Sequence, residues 1–455
     1  MSDEIYNRIF KAYDIRGKYP TEINKDFAVV LGNGFGSFVG AGKKVVVGRD
    51  VRSSSKELSD SLISGLNEAG VDAIDIGIVP TPIVYFAISK YMLDGGVIVT
   101  ASHNPKEWNG FIVCNGEPQV IGMGLGLEKI LELIKRKDFS LNGGGSSEDY
   151  SSKALEDYES FLKGKANVKK KMKIGIDPGN GACSEVAKRM LSGVGIECHA
   201  INDIADGEFS KRPPEPKPEY LSEIKELVVI NNLDFGVAYD GDGDRAIFID
   251  NNGNVLRGEI PIAVFAKNYI RSGEKGVYEV SCSNVVEEMI KLNGGIPLLS
   301  RVGHSFIIKK MREESAKFGG EISGHIYFDE TNYVDDAIFA TVKMAELLSE
   351  SDRKFSDVIK ELPRYLTLTK EFEVDDGIKY RLIEMLKSSF EGSGYRIITI
   401  DGVKAVSDKG WFIIRASNTT PVVRLTAESK DKEILDAIVD FAESKLREKI
   451  AEIGR

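Results

Sequence analysis

The sequence lacks the features that mark nucleic-acid-binding, membrane and disulfide-bonded proteins. Its 455 residues carry a formal net charge of −10, which argues against non-specific nucleic-acid binding. No apolar stretch approaches the ~18 residues of a membrane-spanning helix, and the N-terminus lacks the basic and apolar regions of a signal peptide. Its four cysteines show no C-x-x-C spacing, so neither a zinc site nor a redox pair is indicated. We therefore expect a cytoplasmic protein with no nucleic-acid or membrane partner.

Two common nucleotide-binding motifs are also missing. Gly42-Lys43 is followed by a second lysine and has no glycine five positions before it, which excludes a Walker A loop. No G-x-G-x-x-G pattern follows the first predicted strand, which argues against a dinucleotide-binding fold. Because the net charge is negative, any anionic substrate must be held by a local cluster of Arg, Lys and backbone N–H groups.

Predicted strands alternate with helices through most of the chain. This alternation is typical of α/β domains with largely parallel sheets. The glycine-rich segment 142–147 has the composition of a linker, and the C-terminal part looks like an antiparallel α+β unit. A chain of this length favours three or four domains. We place them at residues 1–150, 151–256, 257–365 and 366–455.

One apolar strand, 96–99, leads directly into the loop Thr100–Pro105. Ligands bind at the carboxyl ends of strands in open α/β sheets, so Ser102 beside His103 is a candidate nucleophile. Ser, His, Asn and Pro are also ordinary turn residues, and a turn or N-cap serine is the alternative interpretation.

Three aspartates alternate with glycines after another apolar strand, at Asp240, Asp242 and Asp244. Anions at this spacing repel one another unless a cation lies between them. An EF-hand is excluded because the sixth and twelfth positions, counted from Asp240, are not Gly and Glu. Mg²⁺ is the expected ion, since it commonly shares its coordination shell with phosphate and water. A solvated acidic turn is the alternative.

Further polar loops follow later strands. The segment Arg415–Thr420 offers a guanidinium with hydroxyls and amides, which suits a phosphate clamp, although a simple hairpin loop fits its composition equally well. His304 and His325 lie in glycine-containing loops, as His103 lies beside a proline. A single histidine is usually structural, but three in such loops favour a shared polar cleft.

Five motifs, in this order, resemble those of the α-D-phosphohexomutases, and most closely their phosphomannomutase/phosphoglucomutase branch. The resemblance covers essentially the whole chain. It implies four domains around a central cleft: three related mixed α/β domains and a smaller C-terminal α+β domain. It also implies reversible phosphoryl transfer between the 1- and 6-positions of glucose or mannose phosphates, through a phosphoserine and a bisphosphorylated intermediate. The motifs are 12–17, 100–105, 240–245, 320–325 and 415–421.

The resemblance also implies a role for individual residues. Ser102 would carry the phosphoryl group and, with the three aspartates, bind one Mg²⁺ per chain. Hexose 1,6-bisphosphate would act as the activator. The catalytic residues would be Ser102, His103, Arg245 and His304, and the metal ligands Ser102, Asp240, Asp242 and Asp244. The substrate-binding residues would be Tyr13, Arg16, Gly303, Glu321, Ser323, His325, Arg415, Ser417, Asn418 and Thr419.

The sequence departs from the family pattern at Ile112, where family members commonly have a lysine that is a candidate proton-transfer group. His304 is the expected substitute for that group. Lys106 or Arg49 are candidates to restore the lost positive charge.

Alternatives to the glucose and mannose assignment stay open. Ile322 favours these sugars, because the phosphoglucosamine branch typically has Gln there. Phosphoglucosamine mutase is thus the second candidate. A non-catalytic, metal-dependent sugar-phosphate binding protein is a third, because Ile112 breaks the pattern. A homo-oligomer is also left open.

Overall fold

A computed structural model describes residues 3–375, 377–390, 392–417 and 422–453. The chain divides into two compact units. The first comprises Met1–Pro261 and Ser323–Ile359, and the second Ile262–Ile322 and Lys360–Arg455. Within the described ranges, none of the helices combines the length and the apolar character that crossing a lipid bilayer requires.

The N-terminal sheet contains both parallel and antiparallel strands. Its strands are β1 (Ile15–Lys18), β2 (Lys44–Arg49), β3 (Asp72–Ile78), β4 (Gly95–Val99), β5 (Trp108–Asn115) and β6 (Ser147–Asp149). The helices are α1 (Asp3–Ile9), α2 (Lys25–Val39), α3 (Ser55–Glu68), α4 (Thr81–Lys90) and α5 (Leu127–Arg136). The strand order is β1-β5-β4-β2-β3-β6, with β5 antiparallel to both its neighbours. The buried apolar side chains of β2, β4 and β5 therefore form a core under the helices.

A second sheet follows in the same unit. It contains β7 (Lys173–Asp177), β8 (Glu197–Ala200), β9 (Phe235–Tyr239) and β10 (Ala246–Ile249), in the order β10-β9-β7-β8. The helices are α6 (Ser151–Lys165), α7 (Val186–Gly193) and α8 (Ser222–Ile230). Strands β7, β8 and β9 are parallel, and β10 is antiparallel to β9.

A third segment, residues 259–360, again alternates helices and strands. Its elements are α9 (Glu259–Tyr269), β11 (Lys275–Glu279), α10 (Asn284–Leu292), β12 (Ile296–Ser300), α11 (His304–Glu314), β13 (Phe318–Gly320), β14 (Ile326–Phe328), α12 (Ala337–Ser349) and α13 (Phe355–Lys360). Strand β11 pairs in parallel with β12 on one side and β13 on the other.

The C-terminal sheet is antiparallel, as the sequence predicts for an α+β unit. Its strand order is β15-β19-β18-β17-β16. The elements are β15 (Leu366–Glu373), α14 (Lys379–Ser389), β16 (Arg396–Ile398), β17 (Val403–Ser407), β18 (Gly410–Ala416), β19 (Val422–Ser429) and α15 (Lys432–Ile453). Three mixed α/β segments and a smaller α+β segment confirm the predicted fold class.

The first three segments share one strand order, which the sequence does not reveal as a residue-level repeat. The parallel strands are arranged β3-β2-β4, β8-β7-β9 and β12-β11-β13. The third strand in each case leads into a loop that carries reactive side chains: 100–107 after β4, 240–245 after β9 and 321–325 after β13. Equivalent positions of one repeated topology therefore supply three chemically different loops.

The glycine-rich segment 142–147 is held more firmly than its linker-like composition suggests. The backbone N–H of Gly143 donates to the carbonyl of Glu68, and that of Gly145 donates to the carbonyl of Asn67. Strand β6 then begins at Ser147 and pairs in parallel with β3. The segment therefore extends the first sheet along its edge.

Helices α2 and α3 approach so closely that their backbones touch. A Cβ on Gly65 would lie 2.2 Å from the carbonyl oxygen of Val29, and one on Gly32 would lie 2.3 Å from that of Leu62. Only glycine at these two positions permits the contact, since real Cβ atoms do not approach other heavy atoms so closely. This contact fixes the helix layer beside β2, the strand that leads into Asp50 and Arg52.

We expect Gly65→Ala to lower the free energy of unfolding of the first unit by about 1–3 kcal/mol, because the added methyl group forces α2 and α3 apart. The matched control is Gly164→Ala in α6, where an added Cβ meets nothing within 4 Å. The control should gain up to about 1 kcal/mol from helix propensity. Differential scanning calorimetry measures both, and equal effects in the two variants would contradict the close-contact explanation.

Candidate active site

The serine loop begins where β4 ends. Ser102 is 1% exposed and has a left-handed backbone with φ of 50°, which costs a non-glycine residue roughly 1–3 kcal/mol. Its N–H donates to Thr100 Oγ1 over 2.8 Å, and its hydroxyl donates to Asp240 Oδ2 over 3.0 Å. His103 Nδ1 lies 3.2 Å from the same hydroxyl. The surrounding contacts therefore hold Ser102 in a strained conformation that aims its hydroxyl at the aspartate loop.

A buried arginine holds the serine loop from behind. Arg52 is 2% exposed, and its Nε donates to Asp50 Oδ2 over 2.9 Å. Its two other guanidinium nitrogens donate to backbone carbonyls. Asp50 also accepts from Thr100 Oγ1 over 2.8 Å. The carbonyl acceptors of Arg52 are those of Ser102, Asn104, Pro105 and Trp108.

Sequence reasoning missed Arg52, because its partners lie about 50 residues further along the chain. The only local signal is its position in the Arg49–Arg52 segment, directly after strand β2, where Asp50 and Arg52 are both charged and both follow an apolar run.

Arg16 approaches the serine loop from β1. Its Nε pairs with Asp14 Oδ2 at 2.8 Å, and its Nη1 donates to Asn104 Oδ1 over 2.8 Å and to the carbonyl of Ala101 over 3.2 Å. Tyr13 is half-buried and precedes the same buried aspartate. The first motif and the serine motif, about 90 residues apart, therefore meet in space.

The aspartate loop follows β9, whose five residues are all buried. Asp240 and Asp242 are 0% exposed and Asp244 is 2% exposed. Each offers a carboxylate oxygen within 4.8 Å of the others. A Cβ on Gly241 would lie 2.5 Å from the carbonyl oxygen of Ser102, so this glycine permits the serine and aspartate loops to touch.

The buried charges of this loop are incompletely compensated by protein groups. Burial, followed by the charge of Asp240, raises the pKa of Asp242 to about 8, and burial with both neighbouring carboxylates raises the pKa of Asp244 well above its usual range. Asp242 Oδ1 and Asp244 Oδ1 have no hydrogen-bond partner among the described residues. Converging, unsatisfied carboxylate oxygens fit a hard divalent cation such as Mg²⁺. The solvated acidic turn is therefore disfavoured.

Arg245 links the aspartate loop to the loop between β13 and β14. Its Nε donates to His325 Nε2 over 3.0 Å, while Ala246 N–H donates to the carbonyl of Gly324 over 3.1 Å. Gly324 has φ of 101°, and a Cβ there would lie 3.1 Å from the carbonyl oxygen of Ala246. Ser323, next to it, is half-buried. The glycine of this motif therefore allows the two loops to pair.

The positive charge of Arg245, followed by burial, holds the pKa of His103 well below its ordinary value. The imidazole is therefore neutral near pH 7. A neutral ring with its Nδ1 3.2 Å from Ser102 Oγ is placed to exchange a proton with that oxygen when the hydroxyl turns away from Asp240.

In the second unit, the Glu321 carboxylate organises the start of helix α11. Its Oε2 accepts from Gly303 N–H over 2.8 Å, and His304, which is 7% exposed, is the first residue of α11. Glu279, at the end of β11, is also buried, and its Oε1 has no hydrogen-bond partner among the described residues. Burial, and then the charge of Glu321, raise the pKa of Glu279 to about 8. No motif in the sequence pointed to Glu279.

Arg415 lies near the end of strand β18 in the same unit, and Ser417 follows that strand directly. Arg415 Nη2 pairs with Asp401 Oδ2 at 3.3 Å, and Arg415 Nε has no hydrogen-bond partner among the described residues. Lys379 Nζ donates to the carbonyl of Ser417 over 2.7 Å. The predicted phosphate-binding residues Asn418 and Thr419 lie outside the described residues.

The predicted site residues fall in both units. The first unit brings together two groups, one around Ser102 and one around Arg245, which share Asp240 as a neighbour. It contains Tyr13, Arg16, Ser102, His103, Asp240, Asp242, Asp244, Arg245, Ser323 and His325, and the second unit contains Gly303, His304, Glu321, Arg415 and Ser417.

Ile112, the departure from the family pattern, is an apolar core residue. It is 1% exposed and pairs with Ile98 across β4 and β5. Of the two cations considered as replacements, Lys106 pairs with Glu208 at 2.7 Å, whereas Arg49 Nε has no hydrogen-bond partner among the described residues. Arg16, by contrast, contacts the serine loop directly.

A serine hydroxyl that touches a buried acidic cluster, with guanidinium groups around it, suits a metal-assisted phosphoryl-transfer site. Family comparisons agree with this class. Profiles described as phosphoglucomutase/phosphomannomutase α/β/α domains I, II and III match residues 7–140, 148–253 and 257–365, and the C-terminal domain profile matches residues 343–444.

Curated relatives match nearly the full chain. A phosphoglucomutase/phosphomannomutase from Thermococcus kodakarensis is 35% identical over 94% of this chain and 95% of its own length. A phosphomannomutase from Methanocaldococcus jannaschii is 37% identical over 95% of this chain and 96% of its own length. The chain therefore belongs to the phosphoglucomutase/phosphomannomutase family.

Solved structures agree. The crystal structure of a phosphoglucomutase/phosphomannomutase family protein from Burkholderia thailandensis has a TM-score of 0.90 and 31% identity, over 99% of this chain and 98% of that one. An N-acetylphosphoglucosamine mutase from Aspergillus fumigatus, 13% identical with a TM-score of 0.60 over 97% of this chain and 96% of that one, shares the fold.

We expect Asp242→Asn to abolish stabilisation by Mg²⁺ without destabilising the metal-free protein. The substitution removes one of three mutually repelling buried charges, and the amide oxygen can still accept from Thr81 Oγ1, 2.9 Å from the native carboxylate. At about 100 times its Kd, Mg²⁺ should stabilise the wild type by about 2.7 kcal/mol. Thermal denaturation with and without Mg²⁺ measures the difference.

The matched control is Asp250→Asn. Asp250 is 5% exposed and accepts from the backbone N–H groups of Asn252 and Asn254, outside the aspartate cluster. This control should keep the full response to Mg²⁺. A full response in Asp242→Asn would instead show that Asp242 is not a metal ligand.

Proposed function

We propose that the protein is a phosphohexomutase that interconverts the 1- and 6-phosphates of glucose and mannose. The contact that carries this proposal is the 3.0 Å hydrogen bond from Ser102 Oγ to Asp240 Oδ2, which joins the serine loop to the acidic cluster. The family assignment and the full-length relatives support the same reaction.

The cycle consists of two transfers in opposite directions. Phosphorylated Ser102 donates its phosphoryl group to the free hydroxyl of a hexose monophosphate. The bond from Oγ to phosphorus breaks and the bond from the sugar oxygen to phosphorus forms, while the sugar hydroxyl loses a proton and Ser102 Oγ gains one. The resulting bisphosphate turns end for end. Its other phosphoryl group then returns to Ser102, whose hydroxyl loses its proton, and the released sugar oxygen gains a proton.

The surrounding residues would supply charge and proton transfer. We assign Arg245 and Arg16 to the charge that develops on the transferring group, because both lie at the serine and aspartate loops. His103, 3.2 Å from Ser102 Oγ, is assigned to proton transfer at the serine. His304 is assigned to proton transfer at the sugar hydroxyl, in place of the lysine that Ile112 replaces.

The aspartates 240, 242 and 244, together with Ser102, would hold one Mg²⁺, which fits the unsatisfied oxygens of Asp242 and Asp244. When bound, the ion neutralises phosphoryl charge and polarises the bond to Ser102 Oγ. Gly241 and Gly243 allow the loop to bend so that the three carboxylates converge.

The remaining predicted residues would recognise the substrate. Glu321 and Ser323 would read sugar hydroxyls, and Tyr13, Gly303 and His325 would also contribute to substrate binding. Arg415 presents an Nε–H without a partner among the described residues, which is available to a phosphate oxygen. We therefore assign the phosphate that is not transferred to Arg415, Ser417, Asn418 and Thr419.

Glucose and mannose phosphates are favoured over phosphoglucosamine. The relatives at 31–37% identity are named for glucose and mannose phosphates, whereas the amino-sugar mutases among the similar structures are 13–15% identical. Exposed Ile322, between Glu321 and Ser323, agrees with this choice.

Several finer assignments belong to the same proposal. We infer that hexose 1,6-bisphosphate restores phosphorylated Ser102 when the phosphate is lost, and that the protein works in the cytoplasm on small-molecule substrates. We also propose domain boundaries at residues 150, 256 and 365, which limited proteolysis tests.

We expect the purified wild type to carry a fraction heavier by one phosphate, and Ser102→Ala to lose both this species and more than 99% of turnover, because no other hydroxyl replaces Ser102 Oγ. Intact-mass spectrometry and a coupled assay measure the two effects. The matched control is Ser53→Ala, an exposed serine that donates to Glu208. Full activity in Ser102→Ala would refute the phosphoserine mechanism, and a binding protein would show no turnover in the wild type.

We expect the wild type to convert glucose 1-phosphate and mannose 1-phosphate at least tenfold more efficiently than glucosamine 6-phosphate. Exposed, apolar Ile322 offers no polar group to pair with an amine. Values of kcat/KM measured in parallel for the three substrates decide the question. A preference for the amino sugar would instead support a phosphoglucosamine mutase.

A further inference from the structure

We propose that Asp335 is a positioning residue for phosphoryl transfer: it fixes the tautomer of His325 so that this histidine accepts a hydrogen bond from Arg245 and aims the guanidinium group. The inference rests on the proposed function, since it assigns a purpose to the orientation of Arg245. Asp335 belongs to none of the five motifs found in the sequence.

Three side chains form a continuous hydrogen-bonded chain. Asp335 Oδ2 lies 2.6 Å from His325 Nδ1, and His325 Nε2 lies 3.0 Å from Arg245 Nε. Asp335 is 0% exposed and His325 is 5% exposed, so bulk water does not compete for either ring nitrogen.

The direction of donation along this chain follows from the two ends. Arg245 Nε carries a hydrogen and has no lone pair, so it can only donate, and His325 Nε2 must therefore accept. The ring hydrogen then lies on Nδ1 and is donated to the Asp335 carboxylate. Moving it to Nε2 would set two donors against each other at 3.0 Å.

The backbone on either side of this hydrogen-bonded chain is also held by strand-like pairing. Arg245 and His325 form an antiparallel bridge, and Tyr327 forms another with Asp335. The rings of His325 and Tyr327 stack at 27° with centroids 6.3 Å apart. These contacts restrain the imidazole, so its tautomer decides whether Nε2 accepts from Arg245.

The adjacent acid, Asp336, has a different purpose. It caps helix α12 by accepting from Phe339 N–H over 2.9 Å, and it accepts from the hydroxyl of Tyr158. Asp336 therefore has a structural role, whereas Asp335 positions His325. Asp336→Asn is thus the control variant for Asp335→Asn.

Asp335, His325 and Asp244 also lie close enough together to resemble a metal-binding group. In this structure both ring nitrogens of His325 are already engaged, one by Asp335 and one by Arg245. The hydrogen-bonded chain accounts for these contacts without a second ion.

The decisive experiment is a double-mutant cycle on kcat, with Asp335→Asn and His325→Ala made singly and together. We expect Asp335→Asn to lower kcat about 10- to 100-fold, as loss of a histidine-orienting carboxylate does elsewhere, with KM changed less than threefold. If Asp335 acts through His325, Asp335→Asn should cost less than twofold in the His325→Ala background.

Two further readouts separate positioning from folding. Long-range ¹H–¹⁵N spectra of the wild type should show the His325 ring protonated at Nδ1 and unprotonated at Nε2, with the signal assigned by its loss in His325→Ala. Asp336→Asn should lower the Tm and change kcat less than twofold. Metal content should stay at one ion per chain in Asp335→Asn.

The proposal is overturned if Asp335→Asn keeps wild-type kcat, if its cost persists in the His325→Ala background, if the ring hydrogen lies on Nε2, or if the variant loses its metal ion. A wild type without mutase activity would instead refute the proposed function. That result is distinguishable, because the tautomer measurement does not depend on turnover.

Discussion

Mutual repulsion among buried carboxylates is the constraint on which the rest of this site depends. Asp240, Asp242 and Asp244 converge within 4.8 Å at the end of a fully buried strand, where water cannot screen them. The protein supplies only part of the compensation, through Ser102, Thr81 and nearby N–H groups. The oxygens that remain unsatisfied suit a divalent cation, which in turn would suit a phosphate group.

The repeated topology explains how one chain assembles such a site. Each mixed α/β segment places a loop after the third strand of the same parallel arrangement, and the three loops differ in chemistry: a hydroxyl, a carboxylate cluster and a glutamate–histidine pair. Glycines at 241 and 324 let neighbouring loops touch, because any Cβ there would come within 2.5 Å and 3.1 Å of a facing backbone oxygen, respectively. Function is thus divided among loops, while the scaffold is repeated.

The fold class and the polar loops that follow buried strands were predictable from the sequence. An apolar run that stops at polar residues is a local signal of a strand end. Ser102 and the aspartates were singled out in this way, whereas Arg245 entered only through the family resemblance. Arg52 and Asp335 were not singled out, since their significance lies in partners far along the chain or in a hydrogen-bond direction that no spacing encodes. The hydrogen bonds of the glycine-rich segment 142–147 were not predictable for a related reason: its composition is that of a linker, but its backbone also extends a sheet.

The most direct test of the central claim is a rapid-quench experiment on enzyme labelled with ³²P at Ser102 and mixed with unlabelled glucose 1-phosphate. The account predicts that label leaves the protein within one turnover and appears first in hexose bisphosphate and then in glucose 6-phosphate. Label that stays on Ser102 during turnover, or that is released only as inorganic phosphate, would contradict it.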